Sequence, residues 1–349
     1  MNDNHNHSAD AGRSLPTRAN LEHLRNEAKQ ALHEMPRREP GAKLAEAQLA
    51  VARRYGFTSW RRLKAYVDAL HASKQRLINA VRVGDLDTLR SILSGNPDLA
   101  NVPTDLDGRI RPSDAPAMRL IHLAVAENRL EAARVLIEFH AELNVRNADG
   151  RLPLHDCFEL GRDEFAQLLL AAGAQADICA AAAYGMHDRL RELLGRDSGQ
   201  ANDLQTGISP IGWSVYGGQE EAARILLAHG AIVDRPPYDV EAWAPVAHVA
   251  NIKFARILLE QGSNPNCRSR NGDTPMHSAI KSRLVRDPGP LVELLLAAGA
   301  DPAIRNNDGR TALDEALLQV GNVSETCFPA RPVGEKEMDR TIELLRGAA

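Results

Sequence analysis

Aromatic side chains are scarce in this sequence, since Phe, Trp and Tyr together make up 4% of its 349 residues. Because β-sheet proteins draw heavily on aromatic and β-branched side chains, this scarcity argues against a β-sandwich. Hydrophobic residues nevertheless reach 44%, with Ala and Leu abundant among them, and a chain of this length can bury a substantial core. The composition therefore predicts closely packed helices.

Cysteine is also sparse, and its distribution excludes two classes of protein. The four cysteines are widely separated and include no CxxC pair; they are Cys157, Cys179, Cys267 and Cys327. Disulfide-stabilised secreted domains and structural zinc sites both need cysteines at closer, regular spacing. We therefore predict ordinary buried or loop thiols.

Long apolar runs are missing as well. No stretch approaches the roughly 18 to 20 apolar residues that span a bilayer. Residues 1–14, MNDNHNHSADAGRS, are polar and lack the hydrophobic segment of a signal peptide. We expect a cytoplasmic protein without a membrane segment, in which residues 1–14 form a disordered tail.

Catalytic and metal-binding motifs are absent too. The sequence contains no HExxH, GxSxG or GxxxxGK[ST] motif and no Cys/His cluster with zinc spacing. Asp156 and Glu159 form a carboxylate pair at i, i+3, but this spacing is more typical of a solvated helix face than of an acid/base pair. We predict that the protein is not an enzyme and needs no cofactor or metal. An enzyme that uses the loop around Cys327 is kept as an alternative.

What the sequence does contain is a repeat. The word LLLAAGA occurs at 168–174 and again at 294–300, and ILLAHGA and ILLEQGS are close variants. With the weaker copies there are eight candidate units, which end their aliphatic words at Leu93, Ile137, Leu170, Leu194, Leu227, Leu259, Leu296 and Leu345. Their commonest spacing is close to 33 residues, which is typical of a solenoid.

A second signal precedes these words in register. Four words resemble the T-P-L-H-x-A signature of ankyrin repeats: LPLH, SPIG, TPMH and TALD, which begin at Leu152, Ser209, Thr274 and Thr311. Turn sequences with a central Gly precede three of them, at 149–151, 271–273 and 308–310. The sequence thus resembles an ankyrin-repeat protein over about residues 75–349. The unit that ends at Leu194 departs from this pattern, because it lacks the turn sequence and is nine residues short.

The resemblance implies pairs of helices joined by hairpin turns, with binding through the concave face of the first helices. It also implies that His122, His155 and His277 are structural, with imidazoles that hydrogen-bond the neighbouring hairpin backbone. Two positions of each unit would point into the groove; they are Asn79 and Arg82, Leu123 and Ala126, Asp156 and Glu159, Ala180 and Ala183, Trp213 and Tyr216, Pro245 and His248, Ser278 and Lys281, and Glu315 and Leu318.

Two aromatic residues fall among these groove positions. Trp213 and Tyr216 would project side by side next to the small alanines of the preceding unit, as aromatic side chains do at binding hot spots. Alternatively, Trp213 packs under a neighbouring hairpin, in an irregular region that includes Tyr238 and Trp243.

Polar groove positions flank the aromatic pair. Asp156 and Glu159 would lie on one side, and His248 and Lys281 on the other. Together with the aromatic pair they are the predicted contact residues for a partner peptide or loop of mixed charge.

Residues 15–72 show no repeat and are strongly basic. Residues 13–76 hold 14 Lys and Arg against 6 Asp and Glu, although the formal net charge of the whole chain is −4. Helical periodicity predicts three helices in this region. The region resembles a small module that often precedes ankyrin repeats in bacterial proteins, which suggests a bacterial source.

Two roles are open for this basic module. The stretch VARRYGFTSWRRLKAYV resembles a helix-turn-helix whose second helix would present Arg61, Arg62 and Lys64 to nucleic acid. Alternatively, the module is a helical cap that shields the apolar edge of the first repeat. The spacing of Trp60, Leu63 and Val67 fits the buried face of such a cap.

The sequence therefore predicts an all-α protein with a tail at 1–14, a three-helix module at 15–72 and an ankyrin-repeat array of about eight units at 73–349. We expect a monomeric scaffold or adaptor that binds a protein partner through the concave groove. The alternative is a DNA-binding regulator, in which the module contacts DNA and the repeats sense a partner.

Overall fold

The computed structural model describes residues 21–34, 44–104, 118–233, 246, 251–282, 285, 287–321 and 335–348. Within these residues the regular structure is helical, apart from one isolated β-bridge between Pro103 and Arg119. The all-α class is thus confirmed, whereas the predicted tail at 1–14 lies outside the described residues.

Three helices begin the described chain: α1 (Leu21–Glu34), α2 (Leu44–Arg54) and α3 (Trp60–Val83). Their shared core contains the buried side chains of Leu24, Ala28, Ala47, Val51, Leu63 and Val67. The predicted boundary at 72/73 falls inside α3, which continues without a break and also packs against the next helix of the chain.

Short helices follow, most of them seven to ten residues long. They are α4 (Leu86–Gly95), α5 (Leu120–Ala126), α6 (Leu130–Glu138), α7 (Pro153–Glu159), α8 (Asp163–Ala171), α9 (Ile178–Ala183), α10 (His187–Arg196), α11 (Pro210–Tyr216), α12 (Glu220–Ala228), α13 (Ile252–Glu260), α14 (Pro275–Lys281), α15 (Gly289–Ala297), α16 (Ala312–Gly321) and α17 (Glu335–Ala348).

The chain forms two compact units. The first comprises the described residues up to Ala148 together with Arg162–Ala172, and the second comprises Asp149–Gly161 together with the described residues from Gly173 onward. In the first unit α4, α6 and α8 pack in a row. In the second unit α7, α9 and α11 form one row, and α10, α12 and α13 form another.

In five helix pairs, the turn after the first helix contains a residue in the left-handed backbone conformation. These residues have φ between 55° and 80°; they are Gly84, Asn128, Gly161, Gly185 and Gly218. A positive φ costs Gly no steric strain and Asn little. This local chemistry reverses the chain after each of these first helices.

The clipped unit, α9 with α10, brings the turns on either side of it together. Gly150 lies so close to the carbonyl oxygen of Gln205 that a Cβ atom on Gly150 would clash with it. Because the intervening unit has no hairpin of its own, these two turns meet directly. The missing turn sequence thus has a structural consequence that the sequence did not predict.

Candidate functional site

Helix α9 lies between α7 and α11 and consists entirely of buried residues, ICAAAA. Its alanines leave so little distance to α11 that a Cβ atom on Gly217 would clash with the backbone oxygen of Ala183. The predicted contact positions Ala180 and Ala183 therefore have no exposed surface to offer. They form a closely packed link between α7 and α11.

Trp213 is buried, with 1% of its surface exposed. Its indole Nε1 donates a hydrogen bond to Thr206 Oγ1 at 2.8 Å, and Thr206 lies in the turn that precedes α11. The prediction that Trp213 presents its ring to a partner is therefore wrong. Trp213 packs instead under the turn of its own repeat. Tyr238 and Trp243, which the alternative interpretation places in the same region, lie outside the described residues.

Small side chains on α9 explain why Trp213 turns inward. Its ring reaches two residues of α7, with ring centroids 5.2 Å from His155 and 5.7 Å from Phe158. Phe158 also meets the Tyr184 ring edge-on at 5.5 Å. The indole occupies volume that alanine leaves open, and together with the partly buried rings of Phe158 and Tyr184 it connects α7, α9 and α11.

Tyr216, one helical turn after Trp213, remains on the surface with 38% of its area exposed. Partial burial and the negative charge of Glu159 raise the pKa of its hydroxyl. Tyr216 and Glu159 were both predicted to line the groove, and the structure brings them within electrostatic reach of each other.

The two carboxylates of α7 have different environments. Glu159 forms an ion pair with Arg151, a residue that the sequence reasoning missed because it lies in the turn before α7. Burial raises the pKa of the Asp156 carboxyl to about 7, with Arg151 opposing the rise and Glu159 and Asp149 adding to it. Asp156 thus titrates near neutral pH.

The signature histidines are structural, as the resemblance implied. In the complete repeat, His277 accepts a hydrogen bond from the Thr274 amide at Nδ1, and its Nε2 lies 3.0 Å from the carbonyl oxygen of Arg310 in the next hairpin. His122 is buried as well, and its Nδ1 accepts a hydrogen bond from the Arg119 amide at 3.3 Å.

His155 differs from His277 because the unit after it has no hairpin. Its Nδ1 accepts a hydrogen bond from the Leu152 amide at 2.9 Å, which leaves the ring proton on Nε2. That Nε2 lies 3.1 Å from Asp177 Oδ1, and the same carboxylate oxygen accepts the amide of Ala180 at the start of α9. Asp177 therefore places a carboxylate near the imidazole where a hairpin carbonyl is missing, although Nε2 makes no hydrogen bond with the described residues. The same carboxylate caps α9 through the Ala180 amide.

Lys281 is less available to a partner than the sequence suggested. Its ammonium group lies 2.7 Å from Asp273 Oδ2, and Asn306 Nδ2 donates to both Asp273 and Glu315, at 2.9 and 3.0 Å. Glu315, another predicted groove position, is 5% exposed. These side chains form a network between α14 and α16, and the predicted contact His248 lies outside the described residues.

The basic residues Arg61, Arg62 and Lys64 are exposed at the start of α3, whereas Leu63 and Val67 are buried in the core of α1 to α3. Helix α3 therefore has both features that the sequence predicts, an apolar buried face and a group of exposed basic side chains. The buried side chains pack the helix, and the cations face solvent.

Among the described residues, no group of three or more His, Cys, Asp or Glu side chains could hold a metal ion. Burial raises the pKa of the Cys157 thiol to about 12, which suppresses its reactivity, and Cys327 lies outside the described residues. No described helix is both long and apolar enough to cross a membrane.

Comparison with known families identifies the repeat. A model of the family described as "Ankyrin repeats (3 copies)" matches residues 77–180, 178–269 and 246–327. These matches cover most of the chain and begin within α3.

Curated relatives show similarity of moderate degree. The mouse B-cell lymphoma 3 protein homolog is 28% identical over 286 residues, which are 72% of this chain and 58% of that protein. Mouse ankyrin repeat and SOCS box protein 16 is 28% identical over 217 residues, 57% of this chain and 47% of that protein. The chain spans about half the length of the curated relatives it matches.

Two solved ankyrin repeat domains match this chain with low TM-scores. The ankyrin repeat domain of Bcl-3 has 22% identity and a TM-score of 0.38, with 65% of this chain and 97% of that chain covered. The human ASB11 ankyrin repeat domain has 21% identity and the same TM-score, with 78% and 97% covered.

Proposed function

Because this chain belongs to the ankyrin-repeat family, we propose that it is a non-catalytic scaffold or adaptor that binds a protein partner through the first helices of its second unit. The proposed contact residues are Tyr216, Glu159 and Asp156. One observation carries the proposal: Tyr216 exposes an aromatic ring on a helix that the buried Trp213 holds in place. Aromatic side chains on rigid supports are frequent binding hot spots.

Charge around Tyr216 favours a partner that presents a basic side chain next to an apolar one. The negative charge of Glu159 acts on Tyr216, and Glu159 and Asp149 both act on Asp156. Asp156 adds its own charge above about pH 7, and Arg151 compensates one charge. A cationic group of the partner would gain from the carboxylates while its apolar neighbour covers the Tyr216 ring.

The remaining predicted contacts have lesser roles in this proposal. His248 stays a prediction. Lys281 contributes less to binding in this proposal, because its charge is already shared with Asp273. A cytoplasmic location, a monomeric state and a bacterial source also remain part of the proposal.

The test is affinity capture from nuclease-treated lysate with three forms of the full chain. The wild type is compared with Tyr216→Ala/Glu159→Gln and with a matched control, Tyr66→Ala, which removes an aromatic ring that is 47% exposed in the first unit. We expect a partner that the wild type and the control retain and the double variant loses. Equal retention by all three forms would exclude this surface as the binding site.

A further inference from the structure

A second surface, at the junction of α2 and α3, is not explained by the proposed groove. Arg53 lies in the last turn of α2, and Arg61, Arg62 and Lys64 lie at the start of α3; all four side chains are exposed. We propose that this basic corner, Arg53 with Arg61, Arg62 and Lys64, binds the phosphate backbone of double-stranded DNA. The inference does not depend on the function proposed for the repeats.

Charge on the basic corner is not compensated within the part of the chain that the structure describes. Arg54, next to Arg53, forms an ion pair with Glu27 at 2.6 Å, but no ion pair involves any of the four corner residues. The Arg62 guanidinium donates to the neutral hydroxyl of Thr58, at 3.1 Å. Uncompensated cations raise the local potential and attract a polyanion.

Helix electrostatics add to the positive potential. Helix N-termini carry a partial positive charge of about half an elementary charge and therefore favour acidic residues. The first turn of α3 has no acidic residue, so the partial positive charge of the helix N-terminus adds to the charge of Arg61, Arg62 and Lys64 there.

Geometry favours DNA over other polyanions. A turn of five residues, 55–59, joins α2 to α3, with Gly56 at φ 79° and Ser59 as the N-cap. The shared core of α1 to α3 fixes the angle between the two helices. In helix-turn-helix proteins the start of the second helix enters the major groove while the first helix crosses the backbone, and here the cations lie at those two places.

Fluorescence anisotropy with a short mixed-sequence DNA duplex, measured at several salt concentrations, tests the proposal on the full chain. The test variant is Arg61→Gln/Arg62→Gln/Lys64→Gln. The control is Arg134→Gln/Arg191→Gln/Lys253→Gln, which makes the same change in net charge at exposed cations that already form ion pairs in the repeats. Thermal unfolding of each variant verifies that it is folded.

We expect the test variant to bind DNA at least about tenfold more weakly at low salt, with a salt dependence reduced by about two to three phosphate contacts. The control should bind nearly as the wild type does. Equal weakening in both variants would reduce the effect to net charge and overturn the proposal. So would wild-type binding to vesicles that contain phosphatidylserine without binding to the duplex, or no DNA binding at low salt. Partner capture by the groove is a separate readout, and the test variant should leave it unchanged.

Discussion

Asn266 forms side-chain hydrogen bonds with the turn at Gly299 in the next repeat. Its Nδ2 donates to the carbonyl oxygen of Gly299 at 3.1 Å, and its Oδ1 accepts the amide of Asp301 at 2.7 Å. One side chain thus satisfies a donor and an acceptor of a turn that follows a second helix. These two hydrogen bonds connect two consecutive repeats.

The same arrangement recurs along the chain. Asn202 Nδ2 donates to the carbonyl oxygen of Gly230 at 2.9 Å, and its Oδ1 accepts the amide of Ile232 at 2.8 Å. In the first unit Asn101 donates to the carbonyl oxygen of His140 at 3.2 Å. This asparagine is therefore part of the repeat, although the sequence reasoning did not single it out.

Replacing Asn266 with Ala should lower the free energy of unfolding by about 1–3 kcal/mol, because each net hydrogen bond contributes about 0.5–1.5 kcal/mol. Urea unfolding at equilibrium measures the change. Asn266→Asp keeps the acceptor and loses the donor, so we expect an intermediate loss. A free energy unchanged in Asn266→Ala would show that the turn needs no such bonds.

Two glycines in equivalent turns should respond differently to alanine. Gly150 and Gly309 both stand between Asp and Arg and have φ of 74° and 75°. A Cβ atom at Gly309 would meet no atom within 4 Å, whereas at Gly150 it would clash with the Gln205 backbone. We expect Gly309→Ala to cost about 1–2 kcal/mol from the backbone conformation alone, and Gly150→Ala to cost about 1–3 kcal/mol more. Equal costs in chemical denaturation would contradict the direct contact of the two turns.

Substitutions at Trp213 and Tyr216 should have different effects, because the first ring supports the fold and the second is proposed to contact a partner. Trp213→Ala removes a buried ring and its hydrogen bond to Thr206, which should cost about 3–5 kcal/mol. Tyr216→Ala removes a partly exposed ring and should cost less than about 1 kcal/mol. Thermal unfolding of both variants measures the difference. A large loss at Tyr216 would mean that its ring supports the fold and would undermine its use as a binding probe.

Asp156 should make the folded protein less stable as the pH rises from about 4 to about 7. Burial raises the pKa of this carboxyl from 3.8 to about 7, so in this window the folded protein holds a proton that the unfolded chain has lost. Unfolding then releases the proton, and the free energy of unfolding falls with rising pH.

The Asp156→Asn variant tests this pH effect, because it removes the titrating group. Urea unfolding between pH 4 and 8 should give a flatter pH dependence than in the wild type. Asp339→Asn, at an exposed position of α17, is the control and should follow the wild type. Parallel curves for all three proteins would place Asp156 in a more polar environment than the structure indicates.

The repeat register was accessible from sequence because its signals are local. A Gly at positive φ, a Pro in the first turn and a row of Leu each have a physical cause within a few residues of the chain. The clipped unit could be located in the same way, from a missing turn sequence. The position of Asp177 opposite His155 could not be predicted in this way, because the two side chains come together only after folding.

The candidate site shows the same division. Register alone placed Tyr216 and Glu159 on the first helices, and the structure brings the two residues into electrostatic reach. The register could not show whether the Trp213 side chain points inward or outward, because that depends on the volume left by alanines on a different helix. Nor could it find the partner of Lys281, since Asp273 and Lys281 are separated by the start of a helix.

The sequence by itself determined the helical repeat, its period and the positions of its turns, because these follow from backbone preferences and from the spacing of apolar residues. Only the tertiary structure decided which groove residues are exposed and which charges are compensated. Burial and ion pairing are properties of neighbours in space, and in this chain those neighbours come from other repeats.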